Sequence, residues 1–162
     1  MEIQAVDPSQ YEAAGRVTAG AYAEFAPPGD SEWEEYLQTI ADVGGRAERT
    51  LVIAAVEEGR ILGTATLEME QTLGDDDVEL PPDTASLRML GVDPAARGRG
   101  VGRALVEASL ERARAAGKRV MVLRTTERME VAAALYRSLG FERDPERDLE
   151  GDLRLVAYRL PL

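Results

Sequence analysis

The chain has no cysteine and no histidine in its 162 residues. Without cysteine there is no disulfide framework, no thiol nucleophile and no thiolate metal site. Without histidine, the commonest general base and the commonest metal ligand are both missing. A Ser-His-Asp hydrolase and a histidine-ligated zinc enzyme are therefore excluded, and no metal is expected. Lysine is nearly absent as well. Lys118 is the only one, and every other basic residue is arginine. Together with abundant Ala, Gly and Val, this usage resembles GC-rich bacterial coding. No apolar run reaches the roughly 18 residues a membrane span needs. The opening MEIQAVDPSQ has neither the basic nor the apolar region of a signal peptide. A cytoplasmic protein with no membrane contact is the expectation.

Positive charge is also scarce. Nineteen Lys and Arg face thirty Asp and Glu, for a net charge of −11. Phosphate backbones want a basic face, so a nucleic-acid partner is not expected. The balance suits a cationic ligand or simply a solvated acidic surface. Length and a hydrophobic content of 44% fit one globular domain spanning 1–162.

The residues alternate between strand and helix patterns. EIQAV (Glu2–Val6) reads as a strand. Asp7 and Pro8 then start a helix whose inward positions are Tyr11, Ala14, Val17 or Thr18, Ala21 and Phe25. A second helix starts at Ser31, carries Trp33, Tyr36, Leu37, Ile40 and Val43 inward, and stops at Gly44–Gly45. TLVIAAVEEGRILGTATLEME reads as a hairpin turning at Glu58–Gly59, with Thr64, Thr66, Glu68 and Glu70 on one face. TASLRMLGV is a strand whose late Gly91 hints at a bulge or a close backbone approach. On it, Arg88 shares a face with Ser86 and Leu90. A helix follows with Val101, Leu105, Ala108 and Ala113 inward, then the continuously apolar strand RVMVLRT. The last helix spaces Val131, Leu135 and Leu139 at i, i+4 and i+8 and stops at Gly140. Strands from Phe141 and within GDLRLVAYRL close the chain. The order is β-α-α-β-β-β-α-β-α-β-β, a mixed α/β (α+β) domain with no repeat or linker.

The densest motif is ARGRGVGRAL, which crowds Arg97, Gly98, Arg99, Gly100, Val101, Gly102 and Arg103 into a helix start. A helix N-terminus presents unpaired N–H groups and partial positive charge, and glycines let a phosphate approach them. Arginines add forked donors. The same residues also suit a tight strand-to-helix turn with solvated arginines. A Walker loop needs Lys-Ser/Thr after its last glycine, where this chain has Arg103 and Ala104, and the G-x-G-x-G spacing departs from the dinucleotide fingerprint.

RGRGVG matches the Gln/Arg-x-x-Gly-x-Gly/Ala motif through Arg97, Gly100 and Gly102. About thirty residues on, AAALYRSLGFER matches Ala-x-x-Leu-Tyr-x-x-x-Gly-Phe through Ala132, Leu135, Tyr136, Gly140 and Phe141. With these two segments the chain resembles the GNAT superfamily of acetyl-CoA-dependent N-acetyltransferases, closely over about residues 85–143. The resemblance implies a mostly antiparallel central sheet flanked by helices. It implies acetyl-CoA as donor, with the pyrophosphate on the main chain of Gly98–Arg103. Leu90, Gly91 and Val92 would meet the pantetheine and acetyl groups where that strand splays from the next, near Val120–Leu123. The first two helices and the strand bearing Glu68 and Glu70 would line an acceptor site, with Arg88 orienting an acidic group or pairing with a carboxylate.

Acyl transfer needs a neutral amine, a stabilised oxyanion and a protonated leaving thiolate. Tyr136 stands at the family position for the general acid. The base is less defined. Thr84 and Ser86 are the positions nearest to where many relatives carry Glu, which leaves Glu68, Glu70, Glu79 or Asp83, acting through water. Met129 stands where many relatives have a cofactor-binding Asn. The expected acceptor is a small-molecule or peptide amine, and a homodimer is compatible. A non-catalytic acyl-CoA-binding or regulatory module and a nucleotide-binding protein are the competing readings.

Overall fold

A computed structural model describes residues 1–70, 80–151 and 154–162. Seven strands form one sheet in the order β1-β2-β3-β4-β5-β7-β6. β1 (Glu2–Ala5), β2 (Leu51–Glu57), β3 (Arg60–Glu68) and β4 (Thr84–Val92) pair antiparallel in succession. β4 and β5 (Val120–Thr126) are parallel, the only such pair in the sheet described. β7 (Leu155–Pro161) pairs antiparallel with β5 and with the short β6 (Glu142–Arg143). The one parallel junction follows from the connection: α4 (Val101–Ala115) crosses over between β4 and β5.

Helices cover both faces. On one face α4 and α5 (Glu130–Ser138) bury Leu105, Val106, Ala133 and Tyr136 against Leu67, Leu87 and Leu123. On the other, α1 (Tyr11–Ala23) and α3 (Val43–Ala47) pack Ala14 and Val43 onto Val52, Ala54 and Ile61. α2 (Ser31–Ala41) lies on α1, close enough that a Cβ on Gly15 would collide with the Ala41 carbonyl oxygen. The expected hairpin forms: Glu58 and Gly59, at φ 51° and 78°, make the tight turn.

Several expectations change. The stretch read as one second helix is two. Asp42 leaves helical geometry at ψ 72°, and its carboxylate caps the next helix by accepting from the Gly45 N–H at 2.9 Å. Gly44 and Gly45 therefore lie inside α3 instead of ending α2, while α2 does start at Ser31, capped by Asp30. On α5, Val131 is 87% exposed, while Ala133 and Tyr136 are the buried positions. β3 ends at Glu68, so Glu70 sits exposed on a bend and does not continue that face. Glu79 lies outside the described residues.

The bulge hinted at by Gly91 is present, but its strained residue is Met89, at φ 51°. Thr66 pairs with Arg88 and Thr64 with Gly91, so β4 carries one extra residue there. The bulge breaks the alternation, and Leu90 no longer shares a face with Arg88. Gly91 takes that place, and a Cβ on it would press Ala21 Cβ at 3.1 Å and Thr18 Cα at 3.4 Å. Its missing side chain lets α1 lie close to β4.

Candidate active site

β4 leads into a short 3-10 turn, Pro94–Ala96, capped by the Asp93 carboxylate, which accepts from the Ala95 N–H at 2.9 Å. The chain then passes Gly98 and Gly100, at φ 76° and 80°, into α4. A Cβ on either would meet nothing within 4 Å, and no side chain caps the helix. The first N–H groups of α4 are thus open to an approaching anion. Gly102 has a packing role: a Cβ there would meet Leu135 Cδ2 at 3.4 Å and Val92 Cγ2 at 3.7 Å. Val101 sends its side chain into the core, so only its main chain borders the loop. The arginines are anchored. Arg97 pairs with Glu24, Arg99 with Glu57 at 2.7 Å, and Arg103 donates to Ser138 Oγ at 2.8 Å while lying 3.7 Å from Glu107.

β4 and β5 pair only from Thr84 with Val120 to Leu87 with Leu123. The strands part beyond that point, later than the sequence suggested, so Val120–Leu123 is the sewn segment and Arg88 and Arg124 are the first residues past it. The β4 edge over residues 88–92, which includes Leu90 and Val92, has no ladder toward β5.

A cavity of about 410 Å³ opens at this gap. Tyr22, Trp33 and Tyr36 from α1 and α2 form one wall, with Trp33 and Tyr36 edge-on at 5.5 Å and Tyr22 and Tyr36 at 6.4 Å. Glu68 lies in the lining, 1% exposed, with the Arg88 Nε 3.6 Å from its carboxylate. Tyr136 reaches the cavity from the opposite side of the sheet, its ring held against Phe141 and Tyr158. Burial pushes its hydroxyl far above the usual tyrosine value. Tyr22 is shifted the same way by burial and then by the nearby Tyr136, and Tyr36 by burial, partly offset by Arg88 and Arg46.

The gap thus brings together Tyr136, Glu68, Arg88 and Leu90. The loop at Arg97–Arg103 lies past the end of the same strand, where Val92 faces Gly102, and neither Val92 nor the loop borders the cavity among the described residues. Neither Glu70 nor Asp83 borders the cavity among the described residues. Composition and spacing did not reveal Arg46. It is 5% exposed, donating from Nε to Thr66 Oγ1 at 3.1 Å and from Nη1 to the Ile40 carbonyl at 2.6 Å. Its Nη2 is buried with no hydrogen-bond partner among the described residues, and the same holds for the Thr125 and Thr126 hydroxyls. Burial lowers the Arg46 guanidinium from its ordinary value, with Asp42 opposing the shift. No local pattern marks Arg46, because its partners come from α2 and β3. Among the described residues no group of His, Cys, Asp and Glu could hold a metal, and no helix is long and apolar enough to cross a membrane.

Comparison with known proteins places this geometry among acyltransferases. The family described as Acetyltransferase (GNAT) matches residues 17–141. The mycothiol acetyltransferase of Cellulomonas flavigena is 30% identical over 147 residues, 87% of this chain and 40% of that protein. The N-alpha-acetyltransferase RimI of Mycobacterium tuberculosis is 43% identical over 63 residues, 39% of this chain and 38% of that one. The matched stretches thus span less than half the length of these curated relatives. Among solved structures, the ribosomal-protein-alanine N-acetyltransferase of Brucella melitensis shares the fold at a TM-score of 0.71 and 21% identity, covering 100% of both chains. The paia N-acetyltransferase of Thermoplasma acidophilum, solved with coenzyme A, does so at 0.75 and 14% identity, covering 98% of each chain.

Proposed function

As this chain belongs to the acetyltransferase (GNAT) family, we propose that it is an N-acetyltransferase that moves an acetyl group from acetyl-CoA to a primary amine by direct attack, with donor and acceptor bound together. One observation carries the reading: an uncapped, glycine-flanked helix N-terminus lies beside a strand pair that parts at the mouth of a buried cavity. The residues present fit the donor. The space over Gly98 and Gly100 admits a pyrophosphate to bare N–H groups, and the open β4 edge at Leu90 and Val92 offers main-chain partners to an amide-bearing arm. When bound, acetyl-CoA supplies the acyl group as an activated thioester.

The chain's own groups divide the proton work. An amine enters from water mostly as an ammonium and must lose a proton before it attacks. Glu68 is the carboxylate buried in the cavity wall, and Arg88 holds it in place. It takes the part first sought in Glu70, which lies exposed on the bend, and in Glu79, which lies outside the described residues. Tyr136, kept protonated by burial, gives its proton to the departing sulfur. The aromatic wall orients the acceptor and keeps water out.

The test is thiol release from acetyl-CoA against a panel of primary amines. Turnover with at least one amine is expected. Tight acetyl-CoA binding with no turnover on any amine would instead favour a non-catalytic acyl-CoA-binding module.

A further inference from the structure

The cavity at the gap gathers aromatic rings from a chain that has few of them. Of one Trp, five Tyr and two Phe, the Trp and three of the Tyr line it. Tyr136 serves the leaving sulfur. The other three, Tyr22, Trp33 and Tyr36, form a corner. Tyr36 meets Trp33 with ring centroids 5.5 Å apart and planes at 77°, and Tyr22 at 6.4 Å and 89°. A flat ring entering such a corner can stack on one member and meet the edge of another. Tyr36, at the centre, keeps 38% of its surface exposed, which is unusual for a large hydrophobic residue of this chain. Met89, Leu90 and Met129 add further apolar lining. Met129 stands where many relatives carry a polar Asn, and its thioether suits an aromatic neighbour.

The charged groups of the lining are engaged elsewhere. Arg88 lies 3.6 Å from Glu68, and Arg124 donates to the Arg147 carbonyl at 2.7 Å. Arg147 itself lies 3.1 Å from Asp144, and Arg128 donates to the Phe25 carbonyl at 3.5 Å. Asp30 accepts from the Glu32 and Trp33 N–H groups at the start of α2, and Glu32 is exposed. Grip on the body of the acceptor therefore falls to the rings. Charge complementarity also limits what can enter. Four arginines line the cavity against Asp30, Glu32 and Glu68, so a second ammonium beyond the one drawn to Glu68 would be repelled.

Resting on the acetyltransferase reading, we infer that the acceptor is a small arylalkylamine, a primary amine joined by a short linker to an aromatic ring. The ring sits in the Tyr22–Trp33–Tyr36 corner and the amine is directed to Glu68. The cavity of about 410 Å³ is shared with the donor's acyl end, which leaves room for one ring and a short linker and not for a peptide. The proton balance is simple. Of the ammonium's protons, one goes to Glu68 and on to water, one replaces the proton Tyr136 gives to sulfur, and one stays on the amide. The amine nitrogen bonds the acetyl carbon as the carbon–sulfur bond breaks.

The experiment titrates the CoA-saturated protein with phenethylamine, cyclohexylethylamine and diaminobutane. It reads calorimetry and the emission of Trp33, the only tryptophan in the chain, and then thiol release from acetyl-CoA with the same amines. Phenethylamine is expected to exceed diaminobutane by roughly tenfold or more, and cyclohexylethylamine by roughly threefold, in affinity and in kcat/KM. It should change Trp33 emission where diaminobutane does not. Tyr36→Leu keeps apolar bulk at a partly exposed position but removes the ring. It should bring the preference over cyclohexylethylamine near one, with an unchanged acetyl-CoA Kd as the control for the fold. Four results would each overturn the inference: equal or tighter binding of diaminobutane or cyclohexylethylamine, an aryl preference that survives in Tyr36→Leu, no response of Trp33 to phenethylamine, or a peptide with N-terminal phenylalanine acetylated in preference to phenethylamine. Because binding is read without turnover, phenethylamine bound with no thiol release would count against the acetyltransferase reading and leave the aryl preference standing.

Discussion

At the scale of single residues, Tyr136 carries the sharpest expectation. Burial holds its hydroxyl protonated far beyond the ordinary tyrosine range, so loss of its proton does not shape activity near neutral pH. Tyr136→Phe removes one oxygen from a ring already packed on Phe141 and Tyr158. It should lower kcat about tenfold or more while acetyl-CoA affinity stays nearly constant, as rate and binding assays would show. Asp148 gives a different test. Arg143 grips its carboxylate with two bonds of 2.7 Å, and the Ala157 N–H adds a third at 2.7 Å. Led by the Arg143 bond, these contacts lower its pKa from 3.8 to about 2. A depressed carboxylate contributes stability that is present above pH 3.8 and lost as pH falls toward 2. Asp148→Asn should lower the melting temperature at neutral pH, with the two proteins converging near pH 2, a comparison that thermal scans across pH would make. The family resemblance pointed to Tyr136, and residue types and their separations to the Arg97–Arg103 cluster. They did not reveal that Arg46 and Glu68 are buried, because burial of a charge depends on which distant elements close over it.

At the scale of elements, the helix that starts the cradle depends on backbone geometry more than on side chains. Gly98 and Gly100 hold left-handed conformations with open space above them. An alanine at Gly100 should cost about 1–2 kcal/mol in strain and place a methyl in the anion's approach. The expected result of Gly100→Ala is weaker acetyl-CoA binding measured by calorimetry, with a smaller loss in thermal stability. Element types were largely legible from periodicity: every strand expected is present, and α4 buries Val101, Leu105, Ala108 and Ala113 as its spacing predicts. The misreadings are local. Val131 followed a helical stripe, but α5 is only nine residues long and rests on the sheet through Ala133 and Tyr136. Gly91, by contrast, marked both features it hinted at, with the bulge centred on Met89 and the close backbone approach at Gly91 itself. Two glycines looked like a helix stop, but the break came from the Asp42 backbone one residue earlier than α3. At Val131 packing on the sheet outweighed the local spacing, whereas at Asp42 a local cap made the break.

For the whole molecule, the donor should act as a stabiliser. A ligand that binds only the folded state raises stability by about 2.7 kcal/mol at one hundred times its Kd, which for a chain of this size is a rise of roughly 5–10 °C in Tm. Thermal scans with and without CoA would show it, and a flat response to CoA beside a rise with ATP would point to nucleotide binding instead. The parting of β4 from β5 gives this linkage a location. Among the described residues, the ladder from Thr84 to Leu87 and the Arg119 and Val120 N–H bonds to the Asp83 carbonyl are the main-chain bonds that stitch the β1–β4 leaf to the β5–β7 leaf. Hydrogen exchange should therefore show the gap-facing amides of residues 88–92 and 124–126, which have no ladder partner across the gap, exchanging before those of the Thr84–Leu87 seam. A ligand lying in the gap would then bridge the two strands where the main chain does not.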